Sequence, residues 1–131
     1  MSESCFCGSL KEFTECCSPI ISGARKAVTA EELMRSRYSA FTLANGDYLM
    51  KSHHSKTRNP KDKRNIESWA KSVSWVKLEI LNATKGQKTD DFGTVEFKAF
   101  YFERGQMGVI HENSEFQTEN SVWKYVGFVA Q

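Results

Sequence analysis

Apolar residues recur along this chain with two periods, and the change from one to the other falls at Trp75. Upstream of it Leu33, Met34, Arg37, Tyr38 and Phe41 stand at i, i+4 and i+7 intervals, the spacing of a helix with one buried stripe. Thr29 with Glu32 has the capping-box spacing that marks its start, and Gly46 is expected to end the run. Asp47 to Lys51 suits a further short turn. The polar stretch from His53 to Pro60 is a break, and a helix from about Pro60 or Asn65 carries Ile66, Trp69, Ala70 and Val73 inward.

From Trp75 onward the period is two, as in strands with one face covered. Val76, Leu78 and Ile80 alternate with Lys77 and Glu79. Val95, Phe97, Ala99 and Tyr101 share a second inward face, Ile110, Glu112, Ser114 and Phe116 a third, and Trp123, Tyr125, Gly127 and Val129 a fourth. The connectors Lys85-Gly86-Gln87, Arg104-Gly105-Gln106 and Glu119-Asn120-Ser121 have hairpin composition, so the strands read as an antiparallel meander. Helices in the first half and about four strands in the second give an α+β fold, with the helices packed on one side of a bent sheet.

At 131 residues the chain holds one ordinary core and a small appended module. A net charge of +2 is too mild to point to nucleic acid. Nine Phe, four Tyr, three Trp and only two Pro describe a folded chain. Neither a basic and then apolar leader nor a run of membrane-spanning length occurs, so the expected setting is cytoplasmic, with no membrane.

Composition becomes specific at the cysteines, all four of which lie in the first seventeen residues as Cys5-x-Cys7 and Cys16-Cys17. Two close pairs on a short loop supply four soft ligands in the tetrahedron that structural zinc prefers. Gly8 permits a tight backbone beside the metal, and Ser9 with Glu12 suggests a capped helical turn that Pro19 stops. Disulfides need an oxidising compartment and a core-poor domain, and neither condition fits. A redox role is the weaker alternative, since the spacing is not Cys-x-x-Cys. Residues 18–28 form a linker whose Ile20 and Ile21 dock the knuckle on the body.

Cys5-x-Cys7-Gly8-Ser9 with Cys16-Cys17 resembles the SEC-C motif. The run from Leu33 to Phe41, Asp47-Tyr48-Leu49, and Ile110-His111-Glu112-x-Ser114-x-Phe116 with Trp123-x-Tyr125 resemble the signature of the YchJ family. That resemblance implies a zinc-binding SEC-C knuckle over residues 1–24 and an NTF2-like domain over 28–131, a cone whose helices and curved sheet enclose a cavity. Two departures stand out: His53-His54-Ser55 replaces a Trp-His-Pro run, and Asn113 and Glu115 flank Ser114 where the family strand has arginines.

The candidate cavity groups are Arg35, Arg37, Tyr38, His54, Glu112 and Ser114, since an arginine, a tyrosine, a histidine and a carboxylate facing a pocket bind anions or move protons. Glu112, on an inward strand face, is expected to pair with Arg35 or Arg37 as a structural ion pair. His53 should face solvent and His111 the outer face of the sheet. Five cations and one anion between Lys56 and Arg64 read as a solvated loop, because no aromatic is interleaved to stack bases. The functional expectation is a binding module whose knuckle docks a protein partner, by analogy linked to translation or secretion. The alternative is an NTF2-like enzyme or carrier that takes a small molecule in the cone.

Overall fold

In the computed structural model, which describes residues 4–128, the second half of the chain is one antiparallel sheet in the order β1-β2-β3-β4. Its strands are β1 (Ser74–Lys85), β2 (Phe92–Glu103), β3 (Gln106–Glu119) and β4 (Val122–Phe128). Alternation fixes the faces of β2 and β3: Val95, Phe97, Ala99 and Phe116 are buried, and Glu112 sits opposite Phe97. A register shift between Trp75 and Lys77 changes the expected start of β1. The extra residue turns Val76 out to 46% exposure and gives its inward place to Trp75, while Leu78 stays inside. Val129, expected on the β4 face, lies outside the described residues.

The hairpin turns follow from backbone chirality. Arg104 and Gly105 (φ 54° and 78°) join β2 to β3, and Asn120 and Ser121 (φ 53° and 65°) join β3 to β4. Both are two-residue turns with left-handed central residues, whose twist matches that of the strands. The β1–β2 connection is longer, and there a Cβ on Gly93 would lie 2.4 Å from the Gly86 Cα, so the two backbones meet where no side chain fits.

Four helices precede the sheet: α1 (Cys17–Ser22), α2 (Ala30–Thr42), α3 (Gly46–Lys51) and α4 (Lys63–Ser72). At the start of α2 the Glu32 amide donates to Thr29 Oγ1 (3.1 Å), and the Glu32 carboxylate accepts from the Val28 amide (2.8 Å). The helix does not run on to Gly46. The amides of Ala44 and Asn45 donate to the carbonyls of Phe41 and Ala40, and Ala44 takes the left-handed position (φ 52°). Gly46 instead opens α3, whose cap is Asn45, accepting from the Tyr48 amide (3.0 Å). Pro19 does not stop a helix either: it lies in the first turn of α1, where an amide proton has no helical partner to lose. The expected linker over 18–28 is therefore helical in its first half.

α2 packs on β1, β2 and β4 and carries Leu33, Met34, Tyr38 and Ala40 into the core. Cys5, Cys7, Cys16, Cys17 and Ile20 belong to the same buried cluster, so the cysteine segment is continuous with the core. Among the described residues no helix is long and apolar enough to cross a membrane.

Candidate metal centre and cone cavity

The first cysteine pair sits on a tight loop closed by hydrogen bonds from the Cys5 amide to the Lys11 carbonyl (2.8 Å) and from the Gly8 amide to the Cys5 carbonyl (3.2 Å). Gly8 takes φ 80° there, as the turn requires. A 3-10 turn, Phe13–Glu15, then brings Cys16 and Cys17 back to the head of α1. Ser9 does not cap a helix with Glu12. Its hydroxyl accepts from the Lys11 amide (3.2 Å) and lies 3.1 Å from Cys16 Sγ.

The four sulfur atoms, all buried, lie within 4.8 Å of one another, with Cys7 to Cys16 at 3.7 Å and Cys16 to Cys17 at 3.9 Å. A tetrahedron with metal–sulfur bonds of about 2.3 Å has edges of about 3.8 Å, which these two separations match and the others miss by no more than about 1 Å. None is in a disulfide. Hydrogen bonding with Cys17 draws the Cys7 thiol down to about 4, Cys17 is pushed up in turn, and burial pushes Cys16 up. A cation held by Cys5, Cys7, Cys16 and Cys17 would supply the charge that makes four thiolates favourable. α2 braces the site: Ser39 Oγ lies 3.6 Å from Cys5 Sγ, and Arg35 donates to the Cys7 carbonyl (2.6 Å) while its Nε binds Glu31 (3.0 Å).

Between the inner face of the sheet and the helices lies a cavity of about 300 Å³. The strand register gives it two ends. Away from Ser114 the wall is aromatic, with the Trp75 ring edge-on to Trp69 (5.4 Å) and Tyr38 (5.8 Å). Toward Ser114 and Tyr125 it is polar, formed by Arg37, His53, Glu112 and Ser114. The Arg37 guanidinium lies over the Tyr125 ring (4.4 Å), and its Nη1 donates to the Leu49 carbonyl (2.8 Å) and Ser52 Oγ (2.6 Å). Burial lowers its pKa to about 10, which leaves it charged at neutral pH. Burial lowers His53 to about 4, with Arg37 and Arg58 adding to the effect, so this imidazole is neutral. It packs edge-on to Tyr125 (5.1 Å). Glu112 is half-buried, burial raises its pKa, and it has no hydrogen-bond or ion-pair partner among the described residues.

Of the expected cavity groups, Arg37, Tyr38, Glu112 and Ser114 line the cavity, and Arg35 and His54 do not. Arg35 is two helical positions from Arg37, which places it on the opposite face of α2, toward the cysteines. The His54 amide is bound to the Tyr125 carbonyl (2.7 Å), and its ring accepts from the Lys56 amide (3.1 Å) beside Glu119. His53, expected in solvent, takes the cavity place because the chain runs parallel to β4 at a His53–Tyr125 bridge, and neighbouring side chains there point to opposite sides. The expected ion pair between Glu112 and Arg35 or Arg37 does not form, since Arg35 serves the knuckle and Arg37 is held by neutral acceptors of α3 and Tyr125. His111 faces outward, as alternation requires, and binds Glu96 (2.7 Å). In the basic loop Lys56 binds Gln117 (2.7 Å) and Lys63 binds Asp47 (2.5 Å). Sequence reasoning placed Trp69 inside and left Trp75 out of phase with the inward Val76, and it carried no signal that the two tryptophans border a void.

Comparison with known proteins matches residues 29–127 to the family model described as the YchJ middle NTF2-like domain. A UPF0225 protein of Geobacter sulfurreducens is 42% identical over 125 residues, covering 95% of this chain and 78% of its own. The UPF0225 protein YchJ of Shigella dysenteriae is 36% identical over 126 residues, covering 96% and 82%. Among solved structures, a SEC-C motif containing protein from Rhodopseudomonas palustris superposes with a TM-score of 0.88 at 30% identity, covering 98% of this chain and 99% of that one. Another from Psychrobacter arcticus gives 0.79 at 30% identity, covering 98% and 81%.

Proposed function

The chain belongs to the YchJ (UPF0225) family, and from its site we propose that it binds a small, largely apolar molecule in the cone cavity, with a structural zinc ion held by Cys5, Cys7, Cys16 and Cys17. The observation that carries the first part is Glu112. A half-buried carboxyl without a partner costs stability wherever it sits, and here it faces a cavity of about 300 Å³ whose other end is aromatic. A few convergent polar groups in an apolar concavity are what a ligand pocket needs. For the metal, four buried sulfurs gathered within 4.8 Å favour zinc, which supplies a rigid cross-link when bound; four thiolates leave no position for water or substrate, so its role is structural.

The test is titration with the neutral aromatic probe 2-naphthamide, followed by quenching of tryptophan fluorescence. Saturable quenching is expected in the natural protein and not in Ala99→Phe, which places a ring in the cavity. Quenching that survives Ala99→Phe, or none in either protein from this probe or from its carboxylate and ammonium analogues, refutes the cavity reading. A second reading, the knuckle as a docking element for a protein partner, is favoured by one observation: its loop presents Leu10 at 89% exposure and Phe6 at 41%.

A further inference from the structure

We propose that the molecule bound in the cavity carries a carboxylate-type anionic group and that Arg37 receives it. This rests on the cavity-binding reading above and adds the chemical class of the ligand.

Arg37 is 7% exposed, and among the described residues no carboxylate approaches it. Its acceptors, the Leu49 carbonyl and Ser52 Oγ, are neutral and both meet Nη1. Nε and Nη2 have no acceptor among the described residues, although the side chain lines the cavity. A guanidinium offers five donors in a planar fork that matches a carboxylate edge-on. Here the fork is pre-organised: Tyr125 covers its face at 4.4 Å, α3 holds one arm, and the remaining edge stays free. A buried cation without a counter-charge is costly, and an incoming anion removes that cost.

The competing class is an organic cation, for which the aromatic end and Glu112 would form a cage. Electrostatics argue against it. Arg37 is a fixed positive charge in the same cavity, His53 contributes none, and burial of Glu112 favours its neutral form. The Ser114 hydroxyl would be a further donor to an anion. The wall of Tyr38, Trp69 and Trp75 suits a flat one- or two-ring body behind the anionic group.

Isothermal titration calorimetry of the full chain at neutral pH with 2-naphthoate, 2-naphthamide and 2-naphthylmethylammonium separates the classes. The naphthoate should bind about tenfold or more tighter than the amide, as expected for a hydrogen bond to a charged group. Arg37→Gln should erase that difference and leave the amide unchanged. If the variant does not fold, the ranking of the three probes on the natural protein decides. A naphthoate no tighter than the amide, or the ammonium tightest, overturns the anionic class and leaves cavity binding intact. A naphthoate preference that persists in folded Arg37→Gln overturns the role of Arg37. Binding of none of the three overturns the cavity reading, and this inference with it.

Discussion

Replacing Glu112 by glutamine should stabilise this protein at neutral pH. The substitution keeps shape and removes one charge. Had Glu112 formed the ion pair that its inward strand position suggests, the same change would cost about 3–5 kcal/mol, because an arginine would be left unpaired. No such pair exists among the described residues: the carboxyl is half-buried, and burial alone raises its pKa. An acid whose folded pKa is raised holds its proton longer in the folded state than in the unfolded chain. The penalty is therefore absent below the unfolded value, about 4.3, grows as pH rises through the interval up to the folded value, and is complete above it. An unpaired buried polar group costs about 1–3 kcal/mol, and discounting for the half of Glu112 that water still screens leaves about 0.5–1 kcal/mol. For a domain of this size that is a rise in Tm of about 2–5 °C. Thermal denaturation of variant and natural protein, each at matched metal content from pH 4 to 8, checks both size and sign. The gain should appear near pH 7–8 and vanish toward pH 4. A variant that melts lower at pH 7, or a gain equal at every pH, refutes the account.

Two further outcomes follow from other parts of the fold. Purified, reduced protein should contain about one zinc per chain, and its removal by chelator should lower a single cooperative transition by more than about 10 °C, because Cys5, Cys7, Cys17 and Ile20 share one core with Leu33 and Tyr38; absence of metal by elemental analysis, or a main transition indifferent to chelator, contradicts this. Ala44 occupies the left-handed position after α2 at φ 52°, so Ala44→Gly should gain about 0.5–1 kcal/mol in urea denaturation, and a loss of stability would show that the helix end is not held as described.

Much of this architecture is legible in the sequence because periodicity depends on local geometry. The change of period at Trp75, the hairpins at Arg104-Gly105-Gln106 and Glu119-Asn120-Ser121, each tightened to two residues, and the gathering of four cysteines all survive in the fold. The errors occur where a local signal admits two outcomes. Gly46 is compatible with closing one helix or opening the next, and the choice fell to the Ala44 turn that closes α2 before it. Val76 lost its inward place to a bulge, which shifts the alternation by one residue without a mark of its own in the sequence.

The cavity was half legible for a deeper reason, which lies in α2. A helical period gives the angles between side chains but not which neighbour each face meets. Arg35 and Ser39, four apart, share one face and brace the cysteine loop; Met34, Arg37, Tyr38 and Phe41 form another and wall the cavity. In the sequence both faces contain an arginine, so each was as good a partner for Glu112 as the other. The rotation of α2 decides, and it is set from both sides at once, by the hydrogen bonds of Arg35 and Ser39 to the cysteine loop and by the hold of α3 and Tyr125 on Arg37. Because one rigid helix carries both sets of contacts, the cysteine loop and the polar end of the cavity are two faces of a single element. The position of Arg37 relative to Glu112 thus depends on residues thirty positions away in the chain, a relation no window of local sequence contains.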